Sequence, residues 1–106
     1  MSDKRPPSEL YRLAAKEWVE ADKAARLLEE TKTAVLAQRM KALGDMPASH
    51  AEREVKASAE WWQFIEEMVE AREKANLAKV KTEYYRMRFM EWQSLNATRR
   101  AEMRLS

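Results

Sequence analysis

The chain of 106 residues has one Gly and three Pro, and their positions constrain its fold more than any other feature. Pro6 and Pro7 stand near the beginning, and Gly44 and Pro47 bracket a short joint. Neither residue type occurs in 9–43 or in 50–104. Hairpins and strand turns use that punctuation, so its scarcity argues against an all-β or α/β fold. The uninterrupted runs are rich in Ala, Glu, Lys, Arg, Leu and Met, the residues that lose least on entering a helix. The chain reads as all-α.

Local signals place the helix ends. Residues 1–8 read as an extended, disordered lead-in, with Ser8 as N-cap of a first helix over 9–43. Gly44 supplies the left-handed position that closes helices, and 44–49 form the loop. Ser49 through Glu52 spells a capping box, and a second helix is expected over 50–104. At 1.5 Å per residue the two helices would be about 50 and 80 Å long. A loop this short makes them antiparallel neighbours within one domain.

Apolar spacing then gives the pairing. Trp61, Phe64, Met68, Ala71, Ala75, Ala78, Thr82, Tyr85, Phe89 and Trp92 continue a 4-3 series begun at Ala57, a coiled-coil seam. Tyr11, Ala14, Trp18, Ala21, Ala25, Leu28 and Val35 repeat it in the first helix, with Lys32 as an interruption whose stem can lie along apolar surface. Folding at the loop pairs positions whose numbers sum to about 96. Small residues then face small ones around Ala21, Ala25, Ala71 and Ala75, where the helices should approach most closely.

In this register Glu9 lies opposite Met87, and the second helix continues alone. A second apolar stripe (Trp62, Ile65, Val69, Leu77, Val80 and Tyr84) flanks the seam. On the overhang, Phe89 and Trp92 with their Met neighbours exceed the few hundred Å² of apolar patch that a monomer usually exposes, and the second stripe widens the apolar face beyond one helix's reach. The fold expectation is therefore a coiled-coil-like antiparallel hairpin with a longer second helix, assembling into a dimeric bundle. The expected partner-binding strip is Tyr85, Met87, Phe89, Met90, Trp92 and Leu95, rimmed by Arg86, Arg88, Arg99 and Arg100. Interfaces favour this mixture of aromatic residues, Met and Arg.

Catalytic chemistry is sparse. There is no Cys and a single His, so thiolate ligands and cysteine nucleophiles are excluded. Glu66, Glu70 and Glu73 recur at i, i+4 and i+7, but di-metal bundles also need histidines three residues after a Glu on two helices. His50 alone does not supply them, and these glutamates read as a solvated face. No Gly-rich phosphate loop is present. The expectation is a non-enzyme with no catalytic residue, metal or cofactor, unless a partner subunit completes a site.

Charge is unevenly spread. Residues 79–106 hold seven basic and three acidic residues, interleaved with Tyr84, Tyr85, Phe89 and Trp92. Basic residues among aromatics suit single-stranded nucleic acid. Glu83, Glu91 and Glu102 stand at helical spacing to neighbouring arginines, which favours an ordinary solvated face. Residues 1–8 lack the apolar core of a secretory signal, and no run is long enough to span a membrane. A cytoplasmic protein with no membrane partner is expected.

The stretches ASHAEREVKAS, EEMVEAREKANLAKVKTEYYRMRFMEWQS and ATRRAEMRL resemble small all-helical accessory proteins of tailed phages and prophages. The resemblance covers about residues 49–105 and carries no functional residues across. It implies a phage-encoded protein in the host cytoplasm that acts by binding DNA-processing or host-defence machinery, for example as a host-defence inhibitor. Direct binding of single-stranded nucleic acid through the basic aromatic end is the alternative.

Overall fold

The computed structural model describes residues 4–105. They form three helices: α1 (Pro7–Ala42), α2 (Ala48–Lys56) and α3 (Ala59–Leu105). The long helices α1 and α3 pack along one another, and α2 folds back at the joint, mainly against α1. The molecule measures 85 × 25 × 14 Å with a radius of gyration of 23.4 Å. A compact chain of this length would have a radius of about 13 Å. This one is a rod.

The start of α1 differs from the Ser8 cap expected from sequence. Pro6 is extended and occupies the N-cap, its carbonyl accepting from the Glu9 and Leu10 amides at 3.0 and 3.2 Å. Pro7 takes the first helical position, where a missing N–H costs nothing. Of the expected lead-in, Pro7 and Ser8 are already helical, and residues 1–3 lie outside the described residues. The other end behaves as anticipated. Leu43 is the C-cap, and Gly44 at φ 85° turns the chain out of the helix.

The second helix does not run unbroken over 50–104. It starts at Ala48, with Pro47 as an extended N-cap whose carbonyl accepts from the His50 and Ala51 amides. Ser49 is thus already inside the helix, and the expected Ser49–Glu52 box does not cap it. The helix then ends at Lys56, and Ser58 is the cause of the break. Its hydroxyl donates to the Val55 carbonyl at 2.6 Å and accepts from the Trp61 amide at 3.2 Å. One side chain therefore closes α2 and caps α3. The break resets the buried face: Ala51 and Val55 are buried, whereas Ala57, expected in the seam, is exposed.

Beyond the break the expected register holds. Thr82 Oγ1 meets the Ala14 carbonyl at 2.9 Å, and those numbers sum to 96. Ala21, Ala25, Ala75 and Ala78 form the core cluster, with Trp18 and Ala71 packed against it. Towards the joint the sum rises, because α2 occupies the turn: the Arg39 guanidinium lies 6.0 Å from the Phe64 ring centre. Arg72 fastens the two helices from outside, bonding Asp22 at 2.8 Å and Glu29 at 2.9 and 2.6 Å.

Alanine makes this close approach possible and also limits it. Among the described residues no large side chain is fully buried, while Val19, Leu27, Trp62, Val69, Leu77 and Val80 are all more than half exposed. The accessible surface is 8687 Å², against about 6,200 Å² for a compact monomer of this mass. A two-helix layer can cover only one stripe of each helix.

Candidate functional site

Helix α1 begins at Pro7, which the register sets level with Phe89. The last four turns of α3 therefore have no helix beside them, a length of about 24 Å. Tyr11 closes the paired region, its ring 6.2 Å from that of Phe89. Phe89 in turn stacks on Trp92 at 6.3 Å, with the planes inclined by 16°. An aromatic relay thus leads from the end of the core onto the unpaired segment.

The ten residues expected as one strip do not share one face. Tyr85 and Phe89 are half-buried; Phe89 packs on Tyr11 of α1, and Tyr85 meets the Tyr84 ring edge-on at 5.4 Å. Met87 and Leu95 are exposed. At 100° per residue, Met87 lies about 160° around the helix from Phe89. Met90 is exposed, with its sulfur 3.7 Å from Arg86 Nη1. Arg88 donates to the Tyr84 hydroxyl at 3.0 Å and lies over that ring. These arginines therefore serve neighbours on their own helix.

Three of the ten do come together. Trp92, Arg99 and Arg100 line a groove of about 450 Å³ with Gln93, Asn96 and Met103. Asn96 Nδ2 donates to the Trp92 carbonyl at 2.9 Å, and Arg100 Nε donates to the Asn96 carbonyl at 3.4 Å. Sequence reasoning did not select Gln93, Asn96 and Met103 for the strip, although a signal existed. Phe89, Trp92, Asn96, Arg99 and Met103 continue the 3-4 spacing of the core seam. The seam does not stop where α1 stops; it changes from apolar to mixed character.

Elsewhere the side chains offer little reaction chemistry. Glu66, Glu70 and Glu73 are exposed on α3, and among the described residues no three His, Cys, Asp or Glu side chains gather as a metal-binding group. His50 Nε2 lies 3.8 Å from Glu54 on the surface of α2. A groove of about 590 Å³ along α1 is walled by Trp18, Val19 and Leu27 and by charged Asp22, Lys23, Arg26 and Glu30. Among the described residues no helix is long and apolar enough to cross a membrane.

No protein-family model matches the chain, and neither a curated protein nor a solved structure does so.

Proposed function

We propose that this chain is a non-enzymatic binding module, working in the cytoplasm as a self-associating rod that presents the unpaired end of α3 to another protein. The observation that carries this reading is the continuation of the core seam past the start of α1. Trp92, Asn96, Arg99 and Met103 keep the spacing that a neighbouring helix reads, at a place where the chain supplies no helix. A partner helix laid there would follow the line of α1, recognised through side chains at i, i+4, i+7 and i+11. Trp92 is the apolar anchor, and Arg99 and Arg100 select acidic groups beside it. The likeness to tailed-phage accessory proteins adds the proposal that the partner belongs to DNA-processing or host-defence machinery.

A second reading rests on the same groove. Trp92, in one groove with Arg99 and Arg100, is a stacking surface near two phosphate ligands, and single-stranded nucleic acid uses that combination. The seam favours the protein reading, since one aromatic in the groove stacks one base, whereas a helix uses every position.

Paired capture followed by reconstitution tests both. A protein retained by the natural chain, then purified, should lose at least tenfold in affinity for Trp92→Ala and keep it for an Ala24→Ser control. A partner indifferent to Trp92→Ala and Arg99→Ala would sink the assignment of this groove. Binding of a 20-nucleotide strand that falls steeply with salt would install the second reading instead.

A further inference from the structure

The side of α3 turned away from α1 has a symmetry that the packing within one chain does not use. Trp62, Ile65, Val69, Val80, Tyr84 and Met87 form its apolar stripe, and all but half-buried Ile65 are more than half exposed. Glu73 and Asn76 fill the centre. Successive positions are separated by 3, 4, 4, 3, 4, 4 and 3 residues, an eleven-residue period. This stripe reads the same in both directions about a point between Lys74 and Ala75. Trp62 mirrors Met87, Ile65 mirrors Tyr84, Val69 mirrors Val80 and Glu73 mirrors Asn76, each pair summing to 149.

The charges on one side of the stripe are segregated by sign about that point. One flank carries Glu66, Glu70, Leu77, Lys81 and Arg88 in that order. A second copy lying antiparallel, related by a twofold axis, presents the same flank on the same side. Lys81 of the second copy then falls level with residue 68, between Glu66 and Glu70, while Arg88 falls level with residue 61. At the axis the Asn76 amide of one copy can donate to the Glu73 carboxylate of the other. A parallel copy would set each charge against its like.

From this we infer that the back of α3 is a homodimer interface, two copies crossing antiparallel with the axis between Lys74 and Ala75; it rests on the self-association proposed above. The palindrome selects a second copy over a foreign helix. An isologous contact requires the surface to be self-complementary, and a foreign ligand makes no such demand. The stripe is about 37 Å long, and the chain exposes about 2,500 Å² beyond a compact monomer of its mass. A standard interface needs about 800 Å² from each partner. Lys81 also pairs with Glu17 at 3.0 Å, both half exposed, and an exposed pair of this kind yields to a better-placed carboxylate at little cost. The groove at Trp92 stays free in this dimer, one at each end.

Light scattering across a concentration series, combined with distance measurement between spin labels, tests the inference. The chain lacks Cys, so a single introduced thiol is the only labelling site. Asn76→Cys should report an intermolecular distance under about 20 Å, and Gln63→Cys one of about 35–40 Å, from the axial separations of the antiparallel register. Val69→Glu with Val80→Glu should raise the dimer dissociation constant at least tenfold with helicity retained, since both side chains are exposed in the single chain. Glu70→Lys should weaken the dimer, and Glu70→Lys with Lys81→Glu should restore it. A monomer at every concentration would overturn self-association and this interface together. A dimer indifferent to Val69→Glu and Val80→Glu, or one with equally short distances at 63 and 76, would leave self-association standing and overturn this interface alone.

Discussion

The Thr82 hydroxyl reaches across the helix pair to the Ala14 carbonyl at 2.9 Å while standing 2.8 Å from the Ala78 carbonyl of its own helix. One proton is shared between two acceptors, in a place that is 5% exposed. Among the described residues this is the one buried side-chain hydrogen bond between α1 and α3, and it ties residue 14 to residue 82 where a sliding hydrophobic stripe would tolerate neighbouring registers. Ala14 provides the room, because a larger residue there would hold the helices too far apart for the hydroxyl to reach.

Replacing the hydroxyl by a methyl group isolates that bond. Thr82→Val keeps the branched shape and should lower stability by about 1 kcal/mol, the net worth of a typical buried hydrogen bond. Thr82→Ser should recover part of the loss. Urea unfolding followed by helical circular dichroism reads both.

The closest approach of the helices should tolerate no added volume. Ala25 is 0% exposed at the centre of the seam, so Ala25→Leu must push α1 and α3 apart, at a cost of about 1–3 kcal/mol. Ala24→Leu, one residue away on an exposed position, should change stability by no more than about 0.5 kcal/mol. Thermal melts of the two variants would separate packing from helix propensity, because the substitution is chemically the same.

Ser58 both closes α2 and caps α3, which makes it the residue most responsible for the break. Ser58→Ala should cost about 0.5–2 kcal/mol and allow helix to extend through 57–58. Ser58→Asn, a competent cap, should stay close to the natural chain. Amide exchange at Trp61, whose N–H donates to the Ser58 hydroxyl, should accelerate in Ser58→Ala alone.

Acid should loosen the outer clamp. Hydrogen bonds from Arg72 hold the Asp22 and Glu29 carboxyls below their ordinary pKa values, with desolvation opposing them, and the same bonds raise the Arg72 guanidinium further. Both carboxyls titrate lower when folded than when unfolded. Their contribution is therefore present above the ordinary carboxylate range and is lost as pH falls through the depressed folded values. Stability should fall below about pH 4, and Arg72→Met should reduce that dependence. Urea midpoints at neutral and acid pH, in the natural chain and the variant, give the comparison. The effect should be modest because solvent reaches all three groups.

Much of this architecture was legible before any coordinates. The absence of Gly and Pro from two long runs determined the helix content, since nothing in those runs stops a helix and most of their residues favour one. Gly44 marked the end of α1 because a positive φ is easy for glycine and strained for other residues. The seam spacing gave the 96 register, because antiparallel helices joined by a short turn have one offset that buries both stripes. Three matters were not legible there, two of them local and one tertiary. Ser58 broke the second helix, which its neighbours' propensities do not reveal: a serine can also stand inside a helix and leave the backbone ladder intact. Pro6 and Pro47 displaced Ser8 and Ser49 from the caps, as the chain entered each helix earlier than the serine signals implied. The expected strip of Tyr85 through Arg100 was divided among the core end, the back of α3 and the Trp92 groove. A list of apolar and basic residues gives composition, while the direction each side chain faces is decided only when α1 takes its place on one side of α3.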